Sequence, residues 1–161
     1  MNSYTIREIQ MSDNQKLAKV IRRVLIEFGV PKVGTAYEDE ALDKMYETYD
    51  SKKSCYFVIS KGQKILGGAG IMQLRNSEEN ICELQKMYFS PDVRGKNLGS
   101  QMMAICLQKA REFNYEKCYL ETLPYMKGAR KLYKKSGFKS LDAPLGDTGH
   151  YSCNMWMLKI L

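Results

Sequence analysis

Ile81-Cys82-Glu83-Leu84-Gln85-Lys86-Met87-Tyr88-Phe89-Ser90-Pro91-Asp92-Val93-Arg94-Gly95-Lys96-Asn97-Leu98-Gly99 is the stretch around which the rest of the chain is arranged. An apolar run gives way to a short polar loop with glycines, and a long amphipathic pattern follows. That order predicts a strand, a tight loop and the start of a helix. The first four N–H groups of a helix have no partner inside it, and the aligned peptide dipoles favour negative charge there. Gly95 and Gly99 allow close approach to the backbone, and Asn97 tolerates the left-handed region. Arg94 and Lys96 add positive charge at the mouth of the loop. The sum is a candidate phosphate or pyrophosphate cradle. It is not a Walker A loop, because no Gly-Lys-Ser/Thr ending is present, and the three glycines of GxGxxG are absent. An ordinary strand-to-helix loop with a solvated basic rim is the competing reading of the same residues.

The chain has 161 residues, 44% of them hydrophobic, which suits one domain over residues 1–161 with a sizeable core. A net charge of +7 can attract nucleic acid, a membrane or an anionic cofactor. The positive charge is scattered, its longest runs being the pairs Lys52-Lys53 and Lys134-Lys135, and no RNP, zinc-finger or basic-zipper pattern appears. Steering of a phosphate-bearing ligand is therefore preferred to nucleic-acid binding. Cys55, Cys82, Cys106, Cys118 and Cys153 form no CxxC pair and fall in strand-like or apolar helical runs, apart from Cys153. They read as free thiols in a reducing, cytoplasmic setting. No signal peptide or apolar run of membrane-spanning length is read. The single histidine, His150, excludes an HExxH site and a His-rich metal centre, so no metal is expected.

Taken in order, residues 4–9 alternate as a first strand. Ser12 and Gln15 have the spacing of a capping box. Leu17, Val20, Ile21, Val24, Leu25 and Phe28 then mark one buried helix face, stopped by Gly29 and Pro31. A second helix is expected over residues 38–49. Residues 55–60 and 65–74 read as a hairpin about residues 61–64, and Gly67, Gly68 and Gly70 inside its second strand suggest a bulge or close backbone approach. Residues 81–89 follow as a third strand of an antiparallel meander. A helix over residues 98–113 leads to a short strand at residues 117–121, and a strand–helix–strand crossover implies a parallel pair. A helix from about residue 125 to Gly137, a strand from Phe138, a loop over residues 142–149 and a last strand over residues 152–161 complete the chain.

Three segments now resemble the GNAT superfamily of acyl-CoA-dependent N-acyltransferases. Arg94-Gly95-Lys96-Asn97-Leu98-Gly99 looks like the family's Arg/Gln-x-x-Gly-x-Gly/Ala loop. It is preceded by the strand Glu83-Leu84-Gln85-Lys86-Met87-Tyr88-Phe89. Ala129-Arg130-Lys131-Leu132-Tyr133-Lys134-Lys135-Ser136-Gly137-Phe138 is similar to its Ala-x-x-Leu-Tyr-x-x-x-Gly-Phe segment. The resemblance implies a mixed α/β fold: a mostly antiparallel sheet with one splayed parallel strand pair, flanked by four helices. It implies that Arg94, Gly95, Lys96, Asn97, Leu98, Gly99 and Ser100 bind the pyrophosphate of acetyl-CoA. The pantetheine arm would lie along Met87, Tyr88 and Phe89, with a backbone N–H near Met87 or Tyr88 polarising the thioester carbonyl. Two positions depart from the pattern: the loop's first glycine is Asn97, and Met126 stands where the family often has asparagine.

The function implied is transfer of an acetyl group from acetyl-CoA to a primary amine of a small molecule or peptide through a ternary complex. Tyr133 matches the family's general acid. Glu83, on the central strand among apolar neighbours, is the best general-base candidate, with Glu121, His150 or water as alternatives. Alternation places Glu83, Gln85 and Met87 on one face of the strand. Glu38, Asp39, Glu40 and Glu47 are candidates for attracting a cationic amine. An acyl-CoA-binding sensor or structural module without turnover, and less readily a nucleic-acid-binding protein, are the other classes. A homodimer is compatible with the reading, and neither nucleic acid nor membrane is expected as a partner.

Overall fold

In residues 55–61 both faces of the strand are apolar: Tyr56 and Val58 pack on one side, Phe57 and Ile59 on the other. A strand buried on both faces belongs inside a sheet covered by helices. In the computed structural model, which describes residues 3–77 and 80–161, this strand is β2 (Cys55–Lys61). With β1 (Thr5–Glu8), β3 (Lys64–Gln73), β4 (Ile81–Phe89), β5 (Lys117–Thr122), β6 (Lys139–Leu141) and β7 (Met155–Ile160) it forms a seven-stranded sheet in the order β1-β2-β3-β4-β5-β7-β6. Every neighbouring pair is antiparallel except β4 and β5. The sheet is therefore mixed in the way the crossover implies.

Helices α1 (Asn14–Glu27) and α2 (Met45–Tyr49) cover one face, where Leu17, Ile21, Leu25, Met45 and Tyr49 join Tyr56 and Val58. Helix α3 (Leu98–Glu112) covers the other with Met102, Met103 and Cys106. Helix α4 (Lys127–Lys135) follows β5 and gives Tyr133 to the α3-side core. All five cysteines are unpaired. Among the described residues no helix is long and apolar enough to cross a membrane.

Two local expectations are corrected. Residues 38–49 do not form one helix: 3-10 turns at Ala36–Glu38 and Glu40–Asp43 precede α2. The break falls at Asp39, whose backbone is extended (φ −61, ψ 121) and whose carboxylate is held by Lys86 and His150. Ser12 and Gln15 form no capping box either. Ser12 lies in a 3-10 turn, Met11–Asp13, and the Asp13 carboxylate accepts the Gln10 N–H and a bidentate Arg7 guanidinium.

The decisive irregularity lies between β3 and β4. Gly68 faces Tyr88 while Gly70 faces Gln85, so three steps on β4 oppose two on β3. Lys86, at φ +50, marks this bulge. Tyr56 is buried and donates its hydroxyl to the Lys86 carbonyl at 2.7 Å. Its ring lies against Gly70, where a Cβ would sit 2.5 Å from Tyr56 Cδ2, and still closer against Gly68. The strand glycines therefore make room for the tyrosine that holds the bulge. The bulge also reverses the alternation expected of Glu83, Gln85 and Met87. Glu83 and Gln85 face the α2 side, whereas the inserted residue turns Met87 into the α3-side core. Beyond the pairs Ile81–Lys117, Cys82–Cys118 and Glu83–Tyr119, β4 and β5 have no common register. Gly70→Ala is expected to lower stability by about 1–3 kcal/mol through overpacking, measured as a reduced urea midpoint with an unchanged m value.

Candidate active site

The divergence of β4 from β5 opens a cavity of about 320 Å³. Its walls come from the C-terminal turns of α1 (Val24, Phe28), the end of β4 (Met87, Tyr88, Phe89), the loop into α3, and α4 (Gly128, Ala129, Leu132, Tyr133). Of the residues expected to bind a cofactor, Met87, Tyr88, Phe89, Arg94, Gly95, Asn97, Leu98, Gly99, Ser100 and Tyr133 all line it. Lys96 does not; its ammonium lies 5.9 Å from the centre of the Tyr4 ring.

The loop is built by local backbone chemistry. Gly95 (φ +73) and Asn97 (φ +61) both take the left-handed conformation. Asn97 is the N-cap of α3 yet gives it no side-chain cap, and the first helical bond runs from the Gln101 N–H to the Asn97 carbonyl. The N–H groups of Leu98, Gly99 and Ser100 thus have no helical acceptor. A Cβ on Gly99 would lie 3.3 Å from Leu132 and 3.4 Å from Phe89, so glycine keeps this part of the wall thin. Arg94 plays a different part from the free positive charge the sequence suggests. Its guanidinium forms a bidentate pair with Glu27 at 2.6 and 2.9 Å, donates twice to the Phe89 carbonyl, and stacks over Phe28. It ties α1 to the end of β4.

A second, smaller cavity of about 30 Å³ shares Met87, Tyr88, Met126 and Tyr133 with the first, and adds Lys86, Glu121 and Cys153 among others. Tyr133 is buried, packs edge-on against Phe138, and has its phenol held protonated by burial. Glu83 lines neither cavity; its carboxylate lies within 4.8 Å of that of Glu121, which borders the smaller one. Glu83 is 5% exposed, and burial pushes its carboxyl up from an ordinary 4.5 to about 7, against the opposing hydrogen bond from Gln85. Gln85 Nε2 donates to Glu83 Oε1 at 2.6 Å, and Tyr49 donates to Gln85 Oε1 at 2.5 Å. The tyrosine therefore fixes which end of the amide faces Glu83. Ligand-capable atoms of Glu83, Glu121 and His150 lie within 4.8 Å of one another. Each already has a protein partner: Gln85 for Glu83, Tyr119 and Thr148 for Glu121, Asp39 for His150. The cluster reads as a hydrogen-bond network.

The groove of about 320 Å³ thus brings together the start of α3, the end of β4 and Tyr133, which lie in the three segments singled out in the sequence. A model of the Acetyltransferase (GNAT) family matches residues 18–138. The chain belongs to this family. It is 40% identical over 160 residues, 99% of this chain and 96% of the relative, to the uncharacterized N-acetyltransferase YjgM of Escherichia coli K12. In fold it is similar to an acetyltransferase of the GNAT family from Staphylococcus aureus Mu50, with a TM-score of 0.86, 20% identity, and 98% and 99% of the two chains covered. It is likewise similar to yncA, a putative acetyltransferase from Salmonella typhimurium, with a TM-score of 0.75, 16% identity, and 99% and 94% covered.

As a GNAT-family member the chain keeps the loop, the end of the bulged strand and Tyr133 together around one cavity, whose lining does not include Glu83. Met126, in place of the family's frequent asparagine, is an apolar wall residue common to both cavities. Of the four acidic candidates near residue 40, Asp39 joins the cluster. Glu38 instead accepts the Gly34 N–H, and Glu47 accepts from Asn14. Sequence reasoning missed Lys86 and Thr148, whose partners lie 47 and 27 residues away. Glu83 retains in the folded state a proton that the unfolded chain releases above its ordinary 4.5. Its contribution to stability is therefore full below that value and lost as pH rises through about 7. Glu83→Gln cannot ionise. It is expected to melt about 3–8 °C above the native chain at pH 8, with the advantage shrinking as pH falls toward 5 in thermal melts.

Proposed function

We propose that the protein transfers an acetyl group directly from acetyl-CoA to a primary amine of a small molecule or peptide, within a ternary complex. One observation carries the reading: a single groove runs from the unpaired amides of α3 to Met87 and Tyr133, and the buried Glu83, which lines neither cavity, has its carboxylate within 4.8 Å of that of Glu121, which borders the smaller cavity at that junction. The fit of the cosubstrate rests on the same features. The amides of Leu98, Gly99 and Ser100 suit a pyrophosphate. Beyond Glu83 β4 remains paired with β3 but not with β5, and that open edge suits an amide-bearing arm, while the apolar Met87, Met126 and Leu132 suit its methylenes. The related Salmonella structure is described as containing acetyl-CoA as its cofactor, which supports the assignment.

In this reading Glu83 accepts the proton of the incoming ammonium, directly or through one water. The amine nitrogen attacks the thioester carbonyl, and a β4 backbone N–H near Met87 or Tyr88 stabilises the developing oxyanion. Tyr133, kept as a neutral phenol by burial, gives its proton to the departing sulfur. A cytoplasmic location fits the five unpaired cysteines.

Calorimetric titration with acetyl-CoA, with free CoA as comparator, tests the reading. Saturable micromolar binding is expected, and Gly99→Glu, which puts a bulky anion against Leu132 and Phe89, should abolish it. With a panel of amines and detection of released thiol, Tyr133→Phe should lower kcat by about 100-fold or more with little change in acetyl-CoA affinity. Binding without thiol release from any amine would instead identify an acyl-CoA-binding module. No saturation up to ~1 mM, where binding would be weaker than about −4 kcal/mol, would remove the cosubstrate.

A further inference from the structure

The proposed reaction produces one proton that has to leave a buried place. Written in full, R–NH3⁺ + CH3CO–S–CoA gives R–NH–CO–CH3 + HS–CoA + H⁺. Tyr133 protonates the sulfur and recovers a proton from the nitrogen that has joined the carbonyl carbon, so the surplus proton is the one Glu83 took from the ammonium. Glu83 is 5% exposed, and bound substrates would cover it further. Its hydrogen-bond partner Gln85 is an amide whose orientation Tyr49 fixes, so it cannot pass a proton on.

We infer that His150 and Asp39 form the proton exit for Glu83: the imidazole takes the proton from the carboxyl through one bridging water and releases it at the surface beside Asp39. The inference rests on Glu83 being the general base. His150 comes from the loop before β7, and one of its ring nitrogens lies within 4.8 Å of a Glu83 carboxylate oxygen. Its Nε2 is 2.8 Å from Asp39 Oδ2, and the backbone N–H of His150 is held by Thr148. The His150 side chain is 15% exposed and that of Asp39 25%, so the pair leads outward from the buried acid. Two further hydrogen bonds from Ser152, to the Gly34 and Val33 carbonyls, hold the His150 loop against the Asp39 loop.

The charged groups around the imidazole are Asp39, Lys86, Glu83 and Glu121. Lys86 also binds Asp39 Oδ2, at 3.2 Å; burial raises that carboxyl, but the His150 hydrogen bond and then the Lys86 charge bring it below its ordinary range. Burial lowers the basicity of the imidazole, and the Asp39 carboxylate more than restores it. His150 can therefore accept a proton near neutral pH, where a buried imidazole alone could not. Glu121 is the other nearby carboxylate, but its two oxygens accept the hydroxyls of Tyr119 and Thr148.

His150 is the chain's one histidine, so its ring signals in an NMR titration are unambiguous. In the native protein the ring should titrate above the ordinary 6.5. Both Asp39→Asn and Glu83→Gln should lower that midpoint, and an unmoved midpoint in Glu83→Gln would overturn the relay. The kinetic arm uses the best amine from the panel. In dilute buffer His150→Gln should lower kcat by at least about tenfold with acetyl-CoA binding retained by calorimetry. Added imidazole should restore the rate in proportion to its concentration, which a lost structural contact would not permit. A loss that imidazole cannot restore, or buffer rescue appearing in Glu121→Gln instead, would overturn the proposal. An unimpaired Glu83→Gln enzyme would show that the base assignment itself had failed.

Discussion

One inserted residue sets the geometry on which the rest depends. With Lys86 bulged out of the β3–β4 ladder, the end of β4 leaves the direction that parallel pairing with β5 would require, and the two strands separate after Glu83 and Tyr119. A left-handed lysine in a buried strand is costly unless its surroundings hold it. Two contacts do so here. The Tyr56 hydroxyl binds the Lys86 carbonyl from one side of the sheet, and Asp39 holds the Lys86 ammonium. The glycines of β3 are part of the same device, since side chains at Gly68 and Gly70 would collide with the Tyr56 ring.

Because the strands separate, each end of the resulting gap acquires a different chemistry. Toward α3 the gap ends in helix amides, presented by a loop whose left-handed Gly95 and Asn97 supply no competing cap. Much of the Arg94 guanidinium is engaged elsewhere: it pairs with Glu27 and donates to the Phe89 carbonyl, and so fastens α1 to the rim. On the α2 side of the sheet Glu83 is buried, and that burial raises its affinity for protons. Gln85 limits that rise by donating to the carboxylate, and Tyr49 keeps Gln85 in the donating orientation. The acid is thereby set near neutrality rather than fully protonated, the range in which a general base is most effective.

The charges around Glu83 come from several distant parts of the chain. Asp39 lies in the turns before α2, Lys86 on the bulge, Glu121 on β5, and His150 in the loop before β7. Asp39 is shared by Lys86 and His150, so one carboxylate both steadies the bulge and supports the imidazole. Its extended backbone is also what splits the helix that the apolar spacing of residues 38–49 suggests. Local helix propensity gives way there to an ion pair with residues 47 and 111 positions away.

The sequence by itself determined the elements whose causes are local. The strand–loop–helix around Gly95 and Asn97, the hairpin at Gly62, the α3 helix and the parallel crossover were legible because backbone dihedrals and apolar periodicity are set within a few neighbouring residues. The resemblance of that stretch and of the α4 segment to the family is what pointed to Met87, Tyr88, Phe89, the loop and Tyr133, while the apolar neighbours of Glu83 were legible in the residues themselves. Tertiary structure alone decided the position of the bulge, and with it the reversal that sends Met87 away from the face of Glu83. It alone gave Arg94 to Glu27, and Asp39 to Lys86 and His150. These are pairings between residues far apart in the chain, chosen by which side chains the packed sheet brings within a few ångströms, and no spacing in the sequence records them.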